Sequence, residues 1–123
     1  MLIKRLLERN ALAIALFITL LVAFLSLASL RGVASINISN SDKIGHTIAY
    51  FTLSLSWFYV FKDNSKKRII TLFLLIIYGI VLEILQGTLT TYRTADFYDF
   101  IANTTGVLLA VFVFYLWSYN QEN

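Results

Sequence analysis

Apolar residues run along this chain in four nearly uncharged stretches, from Ala11 to Leu30, Ile44 to Phe61, Ile69 to Leu82 and Phe100 to Tyr119. Each approaches the roughly 20 residues that a helix needs to cross a hydrocarbon layer about 30 Å thick. The third ends at Glu83 and extends to residue 86 once Gln86 is included, so the expected spans are about 11–30, 44–61, 69–86 and 100–119. The pattern predicts an all-α fold: a polytopic membrane protein, one domain over residues 1–123, built as a bundle of four transmembrane helices.

Composition excludes an ordinary soluble domain. Hydrophobic residues make up 59% of the chain and charged residues 14%, with a mean hydropathy of +0.75. In lipid, burial of apolar groups does not drive helices together, so close packing at small residues and interhelical hydrogen bonds must do so. Cysteine is absent, which removes disulfides, thiolate nucleophiles and thiolate metal sites. Proline is absent too, so a bend would have to come from glycine, an inserted polar group or a π-bulge.

The net charge of +3 reads as topology, because the basic residues flank the apolar stretches and form no soluble basic face for nucleic acid. Of the ten lysines and arginines, Lys4, Arg5 and Arg9 precede the first span, and Lys62, Lys66, Lys67 and Arg68 join the second to the third. Arg31, Lys43 and Arg93 stand on the opposite side. Seven against three predicts cytoplasmic amino and carboxy termini and extracytoplasmic first and third loops. Trp57, Tyr59, Tyr115, Trp117 and Tyr119 then mark the inner interface, and Tyr92 and Tyr98 the outer one. A signal peptide cleaved near Gly32 to Ser35 is the competing reading of the start, but the apolar run is long for a signal core.

With this topology the polar residues that interrupt the apolar pattern gather at the outer face. Residues three or four apart on a helix share a face. Asp42, His46 and Tyr50 form one stripe, with Lys43 beside it; Gly79, Glu83 and Gln86 form a second; Asp99, Asn103, Gly106 and Ala110 form a third, preceded by Arg93 and Asp96. Each has a plainer explanation. The spacings Ser39/Asp42 and Asp96/Asp99 suit helix capping, His46 can serve as an isolated hydrogen-bonding group, and Glu83, His46 and Arg93 can form a purely structural ion-pair cluster. Ala102, Gly106 and Ala110 make a small-residue packing seam, which a homodimer would also be able to bury. The basic run from Lys62 to Arg68 is expected to act as an orientation signal in contact with anionic headgroups rather than as a lipid-recognition patch.

At these residues the chain resembles the VanZ-like family of small bacterial membrane proteins. The matching pieces are Asp42-Lys43 with His46 and Tyr50, then Gly79, Glu83 and Gln86, then Arg93 followed by Asp99, Asn103 and Gly106, covering about Asp42 to Leu109. The family often has proline or glycine in the turn before its arginine, where this chain has Gly87 and then Leu89-Thr90-Thr91-Tyr92. The resemblance implies a single VanZ-like domain in the bacterial inner (cytoplasmic) membrane and cell-envelope work, since a founding member is associated with low-level resistance to the glycopeptide teicoplanin. It implies no settled mechanism.

The leading expectation is a polar ligand-binding site made by Asp42, Lys43, His46, Tyr50, Glu83, Gln86, Arg93, Asp99 and Asn103. It would receive a membrane lipid, a lipid-linked envelope precursor or an amphiphilic drug, with no cofactor and no resident metal. The alternatives are an enzyme acting on a lipid-linked substrate, with His46, Glu83 and Asp99 as catalytic candidates, and a structural or scaffolding protein. No HExxH, GxSxG or phosphate-loop motif supports catalysis.

Overall fold

The computed structural model describes residues 2–27, 39–89 and 97–122; the side chains of residues 39–42 lie outside that description. Four helices account for almost all of it: α1 (Leu2–Leu27), α2 (Ser39–Val60), α3 (Ser65–Leu89) and α4 (Phe97–Glu122). Three of them, α1, α3 and α4, are long and apolar enough to cross a membrane. Their outward faces carry large apolar side chains such as Phe17, Phe24, Phe73, Ile77, Phe112 and Leu116, all exposed. No water-driven core would leave these uncovered, whereas lipid accepts them.

The second helix is less apolar because Lys43, His46, Thr47, Ser54 and Ser56 lie along it. It is also the central helix, packing against all three others, most extensively against α4. Apart from the exposed Thr52 and the partly exposed Lys43, the polar groups among its described side chains are at least half-buried. Leu53 and Ser54 are fully buried and Tyr50 and Phe58 nearly so.

The helices overrun the apolar stretches. The first begins at Leu2 rather than near Ala11, because Leu, Lys, Arg and Glu are all good helix formers and nothing in the leading segment breaks the pattern. Hydropathy marks where lipid begins, and propensity marks where the helix begins. Between α2 and α3 the chain turns without glycine or proline. Asn64 caps α3, its side-chain oxygen accepting from the Lys67 amide at 3.0 Å. Arg68 reaches back to the end of α2, Nη1 donating to the carbonyls of Phe61 at 3.0 Å and Lys62 at 2.6 Å.

The packing of α2 on α4 uses the small-residue seam. Ala102, Gly106 and Ala110 are buried within the chain itself, and the bare Cα of Gly106 lies directly against backbone atoms of Thr47 and Phe51. The seam is thus filled by α2, so a second copy would have to use another face.

Polar contacts link the other helices, as expected where lipid surrounds the bundle. Trp57 Nε1 donates to Thr19 Oγ1 at 2.8 Å, Thr19 Oγ1 donates to the Ala15 carbonyl at 2.7 Å, and the Tyr78 hydroxyl donates to the Thr19 carbonyl at 2.5 Å. Trp57, expected from the sequence as an interface marker, is an interhelical donor. At one end of the bundle Lys62 pairs with Glu8 at 2.7 Å, and this hydrogen bond raises the Lys62 ammonium above the usual lysine range. The pair brings the two basic segments, 4–9 and 62–68, to the same end. The ring of Trp117, 5.9 Å from that of Tyr59, brings the carboxy-terminal part of α4 there too.

Candidate functional site

The opposite end is built from the amino-terminal turns of α2 and α4, which run parallel, and the carboxy-terminal turn of α3. The free backbone N–H groups of a helix's first turn carry partial positive charge, which favours a carboxylate there. Asp99 occupies that position in α4. Its role exceeds capping: Lys43 Nζ lies 2.5 Å from Asp99 Oδ1 and His46 Nε2 3.7 Å from Asp99 Oδ2.

His46 is held from its other nitrogen as well. Nδ1 is 2.8 Å from Asn103 Oδ1, an oxygen that can only accept, so Nδ1 donates there and Nε2 is directed toward Asp99. Asn103 is one turn after Asp99, so a single face of α4 presents both partners. Next to His46 and one turn beyond Lys43, Thr47 ties the same helices together: its hydroxyl lies 2.9 Å from the Lys43 carbonyl and 3.3 Å from the Ala102 carbonyl. Nothing in the sequence pattern singled out Thr47.

The third helix closes the cluster. Glu83 and Gln86 are buried, at 6% and 1% exposure. Gly79, one turn before Glu83, makes room: a Cβ there would stand 3.3 Å from the Tyr50 ring and 3.5 Å from the Asn103 side chain. Gln86 turns toward α1, Nε2 donating to the Ser26 carbonyl at 2.7 Å. The first helix thus contributes a backbone acceptor to a site in which only the other three were expected to take part. A backbone carbonyl is the same in every residue, so no sequence signal marks it.

Of the expected site residues, Lys43, His46, Tyr50, Glu83, Gln86, Asp99 and Asn103 are brought to one end of the bundle. Arg93, Asp96 and the side chain of Asp42 lie outside the described residues. The cluster is layered. Asp99 is 6% exposed in its side chain while Lys43 above it is 28% exposed, so the cation forms the accessible lid of a buried carboxylate. His46, at 12%, lies between these extremes. Below them the Tyr50 and Ser54 hydroxyls are buried with no hydrogen-bond partner among the described residues. No group of three or more His, Cys, Asp or Glu side chains among the described residues is placed to hold a metal ion. Chemically, the arrangement can accept hydrogen bonds from amine or hydroxyl groups and donate to an anion through Lys43.

An uncharacterised protein of Schizosaccharomyces pombe is 35% identical over 103 residues, covering 80% of this chain; the chain spans 59% of that relative's length. No solved structure matches. The family model described as VanZ/LLP1 matches residues 4–118, nearly the whole chain. The chain belongs to the VanZ/LLP1 family.

Proposed function

We propose that this membrane protein binds the polar headgroup of a membrane amphiphile at the end of the bundle formed by Lys43, His46, Glu83, Gln86, Asp99 and Asn103. The observation that carries the reading is the concentration at one end of the bundle of buried ionisable and amide side chains, Glu83 and Gln86 from α3 and Asp99 and Asn103 from α4, with the partly exposed Lys43 and His46 of α2 against them. If the only need were to hold helices together, well-packed apolar residues would do so at equal or lower cost, since the desolvation of buried charges commonly exceeds their attraction. A headgroup offers these groups a second set of partners. Glu83 and Asp99 suit amine or hydroxyl donors, and Lys43 and Arg93 suit a phosphate or carboxylate.

In this reading α2 is a fourth span, the termini lie in the cytoplasm, and the cluster faces the extracytoplasmic side of a bacterial inner membrane. The ligand is then a lipid-linked envelope precursor or an amphiphilic drug of the teicoplanin type. The relative in a yeast carries the resemblance beyond bacteria, so the bacterial setting is part of the proposal. The test is drug susceptibility of cells expressing the chain at equal membrane levels. Glu83→Ala and Asp99→Ala should abolish any protection, and His46→Gln, which keeps a hydrogen-bonding group, should retain most of it.

A second reading has one observation in its favour: His46 lies between Asn103 and Asp99, with each ring nitrogen facing a side-chain oxygen. An imidazole oriented in this way is equipped to move a proton. Turnover of a lipid-linked substrate by the purified protein, lost in His46→Gln as completely as in Glu83→Ala, would replace binding by catalysis.

A further inference from the structure

The basic end of the bundle, remote from the cluster, carries a groove between α3 and α4. Phe58, Ile69, Leu72, Val111, Phe114 and Tyr115 form its apolar wall, and Ser65, Arg68 and Ser118 its polar mouth; its volume is about 240 Å³. Arg68 is fixed at that mouth. Nη1 donates to the Phe61 and Lys62 carbonyls, and the guanidinium lies 5.1 Å from the centre of the Phe114 ring. Those two hydrogen bonds use Nη1 alone, out of five N–H donors on a guanidinium. The group is thus held in one orientation with donors remaining on its other nitrogens, which avoids the entropy cost of ordering a flexible side chain when an anion arrives.

Lys66 and Lys67 are exposed on the same turn of α3 as Arg68, and Lys62 lies just before it. An apolar wall in contact with acyl chains and a cationic mouth at headgroup level match one partner. We infer that this groove is a site for an anionic phospholipid, its phosphate at Arg68 and the Ser65 and Ser118 hydroxyls, and the start of one acyl chain along Leu72, Val111 and Phe114. A zwitterionic lipid fits the wall equally well but returns a positive charge to a mouth that is already cationic, so charge complementarity selects the anionic one. The inference requires only that the chain sits in a bilayer; it does not depend on what the opposite end binds.

The full-length protein, purified in detergent, is titrated with phosphatidylglycerol or phosphatidylcholine, and bound lipid is counted by native mass spectrometry alongside the thermal midpoint. Phosphatidylglycerol should bind more tightly and raise the midpoint more. Arg68→Gln should weaken its binding roughly fivefold, the effect of about one interfacial cation. Because Arg68 also holds the α2–α3 turn, Val111→Trp provides the independent variant. It fills the groove without changing charge, and should remove the preference for phosphatidylglycerol while the fold persists. Equal binding of the two lipids would overturn the inference. So would a preference that survives Val111→Trp and disappears only in Lys66→Gln/Lys67→Gln, since that would be diffuse attraction to the basic loop. Stabilisation by soluble glycerol phosphate alone would equally overturn it, as an acyl chain would then have no part.

Discussion

Replacing Gly45 of α2, Gly79 of α3 and Gly106 of α4 one at a time by alanine should give three different results from the same chemical change. In a helix interior, alanine is favoured over glycine by about 1 kcal/mol, so any departure from that gain measures what the added methyl group meets. At Gly45 it meets nothing within 4 Å, and Gly45→Ala should be neutral to slightly stabilising. At Gly79 the methyl group would lie 3.3 Å from the Tyr50 ring and 3.5 Å from Asn103, contacts that side chains can relieve by small rotations, so Gly79→Ala should be close to neutral. At Gly106 it would overlap the Thr47 carbonyl oxygen and lie 2.9 Å from the Phe51 amide nitrogen, and backbone within a helix cannot rotate away. The α2–α4 pair must separate, and a gap of about 0.5–1 Å forfeits a quarter to a half of each dispersion contact it opens. In a bundle held by packing rather than by water exclusion, that loss falls on the most extensive helix pair. Overpacking of this kind costs about 1–3 kcal/mol, which should outweigh the propensity gain and leave Gly106→Ala destabilised by about 1–2 kcal/mol. Reversible unfolding in mixed detergent micelles reads the series directly. If Gly106→Ala is as stable as Gly45→Ala, the close approach of α2 and α4 at this seam is wrong, and with it the geometry that delivers Asp99 and Asn103 to His46.

The Lys43–Asp99 pair should show coupling in a double-mutant cycle: Asp99→Asn costs about 2 kcal/mol, toward the lower end for a partly accessible ion pair, and Lys43→Gln on that background costs much less than alone. Additive effects would show that the ammonium does not meet the carboxylate in the membrane. For orientation, single cysteines replacing Ser41 and Thr91 should react with an impermeant thiol reagent on intact cells while one replacing Ser65 should not, and labelling of Ser65 alone would reverse the topology.

Much of this protein was legible in the residue pattern because lipid imposes one-dimensional rules. A spanning segment must satisfy its backbone internally, so long apolar runs become helices and nothing else. The helical character and the clustering of seven candidate residues from 43 to 103 at one end follow from that rule together with a period of 3.6 residues. Small residues at four-residue spacing likewise announced a packing seam on α4.

What the pattern left open was decided by which helix faces which, a property no single helix encodes. The seam at Ala102, Gly106 and Ala110 is equally suited to a second copy and to α2, and only the packed bundle assigns it to α2, where the bare Gly106 admits the Thr47–Phe51 backbone. Asp99 has the spacing of a cap, and becomes a partner of Lys43 and His46 only because α2 and α4 run parallel with their first turns level. Thr19 looked like one more residue in an apolar span until Trp57 and Tyr78 met it from two other helices. Gln86 found its acceptor in the Ser26 carbonyl, a group present at every position along α1 and therefore specified by proximity alone. Sequence periodicity tells which side chains share a face; the contact between two faces depends on helix order, direction and depth, and those are set by the sum of many weak packing terms across the whole bundle.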